Sequence, residues 1–276
     1  MRRRDTGEVL GTVAAFPAAF AFMLFMLVPV LIMVKVSLSG PEDIFTQHPP
    51  FLIHHATLDH WREIIAAGGI RAPFQRSLVV ATGTTVLALL VAAPGAYVIS
   101  RMPRKWRYPV LVSLFLTRMF PEVGIALAVA VNFIRWNMLD TDLGLILAHL
   151  IGALPFIAWI LVGTFETIPV ELEEAAKTDG CGRVAVLRRV ILPLSLSGVA
   201  VACIFTWLWS WNEFTYALYL SLSRNTLPLE TYYYLGRGSL FNAATYSTIL
   251  TLPVFLVTFT LQKYLRSGYL TGAVKG

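Results

Sequence analysis

Six long apolar stretches constrain this chain more than any other feature. They run over Val9–Val36, Ser77–Ile99, Tyr108–Ile134, Leu143–Phe165, Leu194–Leu220 and Tyr246–Leu265. Each reaches the roughly 20 residues an α-helix needs to cross a bilayer core. Composition points the same way. Hydrophobic residues make up 57% of the 276 residues and charged residues 14%, with a mean hydropathy of +0.68, against about 45–50% and about 25% in soluble domains. A soluble core of this size has no room for so much apolar surface, and disordered, collagen-like and disulfide-scaffold classes are excluded as well. The expected fold is all-α, a polytopic membrane protein with six transmembrane helices. Pro94 and Pro121 do not veto their spans, because neighbouring helices re-satisfy the freed backbone groups.

Arg2, Arg3 and Arg4 precede the first stretch, as in a signal peptide, but its apolar run exceeds the 7–15 residues of such a segment. An uncleaved first span is expected. With the N-terminus inside, 14 of the 22 Lys and Arg residues fall on inner segments and span ends, among them Arg101, Arg104, Arg107, Lys177 and Lys263. Six fall outside: Arg62, Arg71, Arg76, Arg135, Arg224 and Arg237. That bias places both termini in the cytoplasm. It also accounts for the net charge of +6 without nucleic-acid binding. Trp106, Tyr108, Trp136, Trp211 and Tyr264 sit at span ends, as interfacial anchors do. Cys181 falls on a cytoplasmic segment and Cys203 in a span, so no disulfide is expected.

The loops then have sides. Residues 37–76 form the longest outer segment. Within it Leu58, Trp61, Ile64 and Ile65 have helical spacing and predict a short helix over Asp59–Ala67. Its histidines, His48, His54, His55 and His60, lack the paired spacing and Cys companions of a metal site, and no metal is expected. Residues 221–245 form a second outer loop with Tyr232, Tyr233 and Tyr234. Residues 166–193 form the longest inner loop. In it Pro169 suits a helix first turn, and Glu171, Glu173 and Glu174 suit the positive end of the helix dipole. Asp179-Gly180 predicts the helix end, with Gly180 able to take a left-handed conformation. A second short helix is expected over Arg183–Ile191, burying Val184, Leu187, Val190 and Ile191 on one face. An amphipathic helix pair this long is more than a connector and reads as a docking surface.

Glu174-Ala175-Ala176, then Asp179-Gly180, then Leu192-Pro193 resemble the EAA signature of bacterial ABC importer permeases. Gly180 lies four residues after the second Ala, and Leu-Pro starts twelve residues later. Val190, where that family usually has Ile, is a conservative departure. Trp211-Asn212-Glu213-Phe214, Met119-Phe120-Pro121 and the tail Thr271–Gly276 narrow the resemblance to the sugar-importer branch of maltose-permease type. It covers nearly the whole chain, with Thr6–Thr46 and the outer loops least distinctive.

The resemblance implies a non-catalytic permease subunit of a binding-protein-dependent sugar importer in the inner membrane. Residues 1–8 would be a cytoplasmic N-terminus and 9–276 one transmembrane domain with its core over 77–265. Residues 166–193 would form the coupling loop and 266–276 a cytoplasmic tail. The implied partners are a second, homologous permease, two copies of a cytoplasmic ATPase and an extracytoplasmic binding protein. ATP and Mg²⁺ would lie on the ATPase, and this chain has no G-x-x-x-x-G-K-[ST] phosphate loop. Glu174, Ala175, Ala176, Asp179, Gly180, Arg188, Arg189, Leu192, Pro193, Lys275 and Gly276 would serve ATPase coupling.

Candidate substrate-path residues are the polar Asn132, Asn212 and Glu213, together with Trp207, Trp211 and Phe214, which share a helix face. Arg118 and Glu122 stand four apart on span three, one helical turn. They either neutralise each other or leave Arg118 to attract an anionic substrate group. Tyr232, Tyr233 and Tyr234 are candidates for binding-protein contact. His149 is expected to be a packed polar group. The competing classes are an ion-coupled secondary transporter, which needs inverted repeats and broken helices, and a membrane-embedded enzyme. The sequence displays neither the repeats nor broken helices, and H-E-x-x-H and G-x-S-x-G are absent.

Overall fold

A computed structural model describes residues 6–66 and 68–272. Its helices, in chain order, are α1 (Thr6–Leu38), α2 (Pro41–Ile44), α3 (Asp59–Ala66), α4 (Arg71–Ser100), α5 (Arg104–Leu116), α6 (Glu122–Arg135) and α7 (Asp142–Glu166). They are followed by α8 (Val170–Thr178), α9 (Arg183–Val186), α10 (Leu192–Leu194), α11 (Leu196–Trp211), α12 (Thr215–Leu220), α13 (Leu227–Gly236) and α14 (Leu240–Gly272). A 3₁₀ turn covers Thr117–Met119 and a π-helical turn covers Leu187–Ile191. The extended pairing among the described residues is a single antiparallel bridge between Ser39 and Ala56.

Four segments are long and apolar enough to cross a membrane: Ala15–Leu38, Arg71–Ser100, Asp142–Glu166 and Leu240–Thr260. Two further spans are bent pairs, one over Arg104–Met119 and Glu122–Arg135, the other over Arg183–Leu194 and Leu196–Trp211. Counting each pair once gives six.

The bends correct the sequence reading, which drew spans three and five as continuous. Span three turns by 83°. Pro121 has no N–H to donate, and its ring forces the preceding residue out of the helical region. Phe120 is accordingly extended, at φ −74° and ψ 143°. Arg118 and Glu122 are therefore not one helical turn apart. Ahead of span five the chain turns by 86°. Pro193 cannot bond back to residue 189, and the turn before it widens into the π-helical form. Span five then stops at Trp211, and Asn212–Phe214 separate α11 from α12.

The chain divides into two compact units, Met1–Gly69 with Thr231–Thr251, and Ile70–Glu230 with Leu252–Gly276. In the first, Asp43 is buried and organises the segment between α1 and α3. Its carboxylate accepts the backbone N–H groups of His54 at 2.8 Å and His55 at 2.9 Å, and meets the His55 ring Nδ1 at 2.9 Å. The His55 amide is the main reason the Asp43 carboxyl sits at about 2, with burial opposing it, and Asp43 in turn raises His55. The α3 helix matches expectation, with Ile64 buried and the His60 ring stacked on Phe241 at 4.5 Å.

In the second unit α4 packs along α7, and α11 lies against both. The contact surfaces are rich in small residues, with Ala88, Ala92, Ala93 and Ala96 on α4 and Ala153 and Ala158 on α7. Lipid tails are as apolar as leucine, so helices in a membrane gain from close van der Waals packing, which small residues permit. Gly152 shows the closeness: a Cβ there would lie 2.5 Å from the Trp209 ring. Thr141 caps α7 by accepting the Gly144 N–H at 2.9 Å.

Candidate functional site

Residues 166–193 fold as a helix, a turn and a second bent helix. α8 ends at Thr178, and Gly180 takes φ +84°, the left-handed turn its lack of a Cβ allows. Pro169 stands one position before α8, as its N-cap, rather than in the first turn. Of the three carboxylates, Glu171 and Glu174 are exposed. Glu173, which the sequence did not distinguish from its neighbours, is only 1% exposed. Successive helix residues point about 100° apart, so one glutamate of the pair turns inward and the other outward. Val184 is also on the other side from its expected place, 79% exposed. The buried positions are Val186 and Ile191, with Leu187 and Val190 half-buried. The widened π turn changes the phase on which an even helical wheel relied. Ala175, Asp179, Arg188 and Arg189 are exposed, Ala176 is half-buried, and Leu192-Pro193 lead into α11. Lys275 and Gly276 lie outside the described residues.

Glu173 is held by α4. Its Oε1 accepts Arg101 Nε at 2.6 Å and its Oε2 accepts the Tyr97 hydroxyl at 2.7 Å. Arg101 Nη2 also reaches the carboxylate. The rest of that guanidinium donates to the carbonyls of Phe165 at 3.0 Å and Ile168 at 3.3 Å. Next to it, Arg107 pairs with Glu166 at 2.7 Å and donates to the carbonyls of Ser100 and Met102, each at 3.0 Å. Arg101 and Arg107 entered the sequence reading only as topology charges.

At the other end of α4, Arg76 is buried. It pairs with Asp142 at 3.1 Å and Asp140 at 3.5 Å, and Arg224 closes on Asp142 at 3.0 Å. Asp140 has φ 59°, a left-handed conformation that Asp tolerates, and accepts the N–H groups of Leu222 at 3.0 Å and Ser223 at 3.1 Å. Burial opposes ionisation of Asp140, but the Ser223 hydroxyl and these amides outweigh it and hold its carboxyl below the usual range.

Between these ends the break in span three opens a groove of about 790 Å³. Arg118, Glu122, Asn212, Trp209, Phe156 and Phe214 line it. Arg118 donates to the Gly152 carbonyl and lies over the Trp209 ring, 5.5 Å from its centroid. Among the described residues no ion pair joins it to Glu122. Mutual neutralisation, one of the two sequence expectations for this pair, is not what the fold builds.

The other candidates separate. Asn132 lines a second, apolar groove with Phe120 and Trp136. Trp207 and Trp211 do share a face and stack at 4.9 Å, but Trp211 is buried against Phe74. Glu213 does border the Arg118 groove, but it is buried, 3.0 Å from His149 Nε2, and accepts the N–H groups of Tyr216 at 2.8 Å and Ala217 at 3.3 Å, so it caps α12. His149 also meets the Ser210 hydroxyl at 2.7 Å. Trp209, which the sequence reading passed over, is the indole that meets Arg118. In the 221–245 segment, which folds in part as α13, Tyr232 is exposed and Tyr233 half-buried, whereas Tyr234 stacks on Tyr246 at 5.0 Å. Among the described residues no group of three His, Cys, Asp or Glu is placed to hold a metal ion.

The chain as a whole is similar to known proteins. Residues 84–270 match the family described as "Binding-protein-dependent transport system inner membrane component". A putative ABC transporter permease protein of Streptomyces antibioticus is 34% identical over 225 residues, covering 80% of this chain and 98% of the relative. The diacetylchitobiose uptake system permease protein DasC of Streptomyces coelicolor is 29% identical, covering 95% of this chain and 97% of that one. Among solved structures, a chain of a bacterial ABC transporter involved in the import of the acidic polysaccharide alginate superposes with a TM-score of 0.76, covering 96% of this chain and 99% of that chain at 19% identity. The ion-coupled carrier has no support here: the broken helices it calls for are present, but in a permease fold. The chain belongs to the inner-membrane components of binding-protein-dependent transport systems, the membrane-spanning permease subunits of ABC importers.

Proposed function

We propose that this chain is one of two homologous permease subunits that together carry a sugar or sugar derivative across the inner membrane, with both termini in the cytoplasm. The observation behind the coupling half of this reading is the two-sided character of α8. Glu173 faces in, while Glu174, Ala175 and the apolar Leu172 face out, and Val184 is exposed on the next helix. Apolar side chains left in water on a charged helix pair suit a protein partner. That partner is a cytoplasmic ATPase, one copy for each permease. Glu174 pairs with a basic residue of its cleft, a charge-assisted contact that fixes register. Ala175 and Ala176 allow close approach, Asp179 and Gly180 set the turn, and Arg188 and Arg189 add charged contacts. Leu192-Pro193 carry the motion into α11, and the Lys275–Gly276 tail reaches toward the ATPase dimer. ATP and Mg²⁺ belong to the ATPase, so this chain performs no catalytic step and holds no cofactor.

The substrate reading draws on the groove at the span-three break and on the saccharides named for the Streptomyces coelicolor relative and the alginate importer. An exposed Arg and Glu inside a span are costly in lipid and suit a watered path. Arg118, Glu122 and Asn212 offer donors and acceptors to hydroxyl groups, and Trp209 and Phe214 offer flat faces to sugar C–H groups. An extracytoplasmic binding protein delivers the substrate near Tyr232 and Tyr233. The test is affinity purification of the tagged chain in mild detergent with mass spectrometry of what accompanies it. A P-loop ATPase, a second permease and a binding protein are expected, and Glu174→Lys is expected to lose the ATPase. Recovery of the chain alone, with Glu174→Lys still importing, would sink the reading.

A further inference from the structure

The clamp on Glu173 has a geometry that docking alone does not require. A docking helix needs its outer face free and its inner face merely packed, for which an apolar residue suffices. Here the inner face carries a buried carboxylate with both oxygens engaged, by Arg101 Nε at 2.6 Å and Tyr97 Oη at 2.7 Å. The same guanidinium holds the carbonyls of Phe165 and Ile168. One planar group therefore ties three segments together: the C-cap of α4, the C-terminal end of α7 and the whole of α8. Apolar contacts slide at little cost. A buried charged fork does not, because any slip strands a carboxylate or a guanidinium without partners.

We propose that Arg101, Glu173 and Tyr97 form the rigid joint through which displacement of α8 reaches α4 and α7. This rests on the reading of α8 as the helix that an ATPase moves. The linkers at either end of α8 are short. One is Thr167–Pro169, and the other holds Gly180 at positive φ and Gly182. Without the joint, α8 swings on those linkers and its motion is spent there. With it, α8 and the inner end of α4 move as one body. The outer end of α4 follows, because Arg76 ties it to Asp140 and Asp142 at the head of α7.

Three positioning residues are thereby assigned, none of which touches substrate or nucleotide. Their test is a distance, which a merely stabilising role does not fix. The full complex, purified with its partner subunits and reconstituted in nanodiscs, has Cys181 and Cys203 replaced by Ser. Spin labels are placed on Glu171→Cys in α8 and Val98→Cys in α4, both exposed positions. Double electron–electron resonance then reads the pair without nucleotide and after trapping with ATP and vanadate. The native joint is expected to give one narrow distance, the same in both states. Glu173→Gln and Arg101→Met are expected to broaden it and make it differ between states. Arg101→Lys, which keeps the charge but not the fork, is expected to fall between.

A native distance that shifts on trapping, in a complex that hydrolyses ATP, overturns the joint while leaving the docking reading intact. This native measurement decides the matter even where a variant fails to assemble. A narrow, state-independent distance in Glu173→Gln overturns the joint equally. A chain that purifies without an ATPase fails the docking reading, and the joint falls with it.

Discussion

The two ends of α4 carry the same chemistry and use it differently. At the outer end Arg76 meets Asp140 and Asp142, and these carboxylates are themselves fixed by backbone amides and by Arg224. Every partner is anchored close to the head of α7, so the network closes on itself. At the inner end Arg101 also meets a buried carboxylate, but that carboxylate stands on α8, a helix of nine residues whose other face is exposed. The outer network holds two spans in register. The one at Arg101 fastens those spans to a short helix whose other side is exposed. Burying an arginine beside a carboxylate therefore does not announce one role. The role follows from what the carboxylate is attached to.

The largest effect that separates the two ends is expected at Arg76. Arg76→Ala leaves Asp140 without its cation and Asp142 with Arg224 alone, and breaking a buried pair in this way costs about 3–5 kcal/mol. The thermal midpoint of the purified complex should fall sharply, with Arg76→Lys recovering part of the loss. Glu174→Lys at the inner end should behave in the opposite way. An exposed substitution shifts stability by no more than about 0.5 kcal/mol, so the midpoint stays while import is lost. If Arg76→Ala reduced import with the midpoint unmoved, the division between a closing network and a transmitting one would be wrong.

A middle-sized effect is expected where the groove meets the packed core. Gly152 lies under the Trp209 ring, and its carbonyl accepts from Arg118. Gly152→Val drives a branched side chain into that ring, and overpacking of this kind costs about 1–3 kcal/mol. The midpoint should drop by less than in Arg76→Ala. Because the substitution also displaces the acceptor of Arg118, the KM for import should rise. Arg118→Gln, which keeps a donor but loses the charge and the fork, should raise KM with the midpoint unchanged. An unchanged KM in both variants would remove the groove from the substrate path.

The sequence made one layer of this molecule legible and hid another. Hydropathy located the four unbroken candidate spans and the regions of both bent pairs, because a bilayer demands some 20 apolar residues wherever a helix crosses. The helix–turn–helix of residues 166–193 was legible because Asp179-Gly180 marks the end of one helix and a second apolar-periodic run follows. The breaks were not. Pro121 occurs in an otherwise apolar run, and nothing local distinguishes a proline that a neighbouring helix repairs from one that ends a helix. Asn212–Phe214 interrupt span five with residues that also occur at helix ends. The two arginines were hidden for another reason. A basic residue at a span end satisfies the rule for membrane topology whether it is solvated or buried, so Arg76 and Arg101 were spent on orientation. Glu173 and Glu174 are identical in type, and only the direction from which α4 approaches α8 tells them apart.

The smallest expected effect sharpens the contrast from outside the membrane. Asp43 and His55 form a third carboxylate junction, in the segment between α1 and α3, and this one titrates. The His55 amide and ring lower the Asp43 carboxyl to about 2, and Asp43, with Glu42 adding to it, raises His55. The two partners set opposite limits. Asp43 ionises more readily in the folded segment, so its contribution is complete above its ordinary value near 4 and is lost as the pH falls toward 2. His55 holds its proton more tightly when folded, so its contribution is complete below its ordinary value near 6.5 and is lost as the pH rises through the folded value. The segment should therefore be tightest in mildly acidic solution. Because His55 is largely exposed, solvent screens the pair and the gain is small. Amide hydrogen exchange over residues 41–57, corrected for intrinsic rates, should show more protection at pH 5.5 than at pH 8. Asp43→Asn should erase that difference and lower protection at both pH values, since the two backbone amides lose their charged acceptor. Among the described residues the junctions around Arg76 and Arg101 contain no histidine, so peptides around both should show no such pH dependence. A pH response there, or its absence at 41–57, would mean that the three carboxylate junctions do not differ in the way their partners imply.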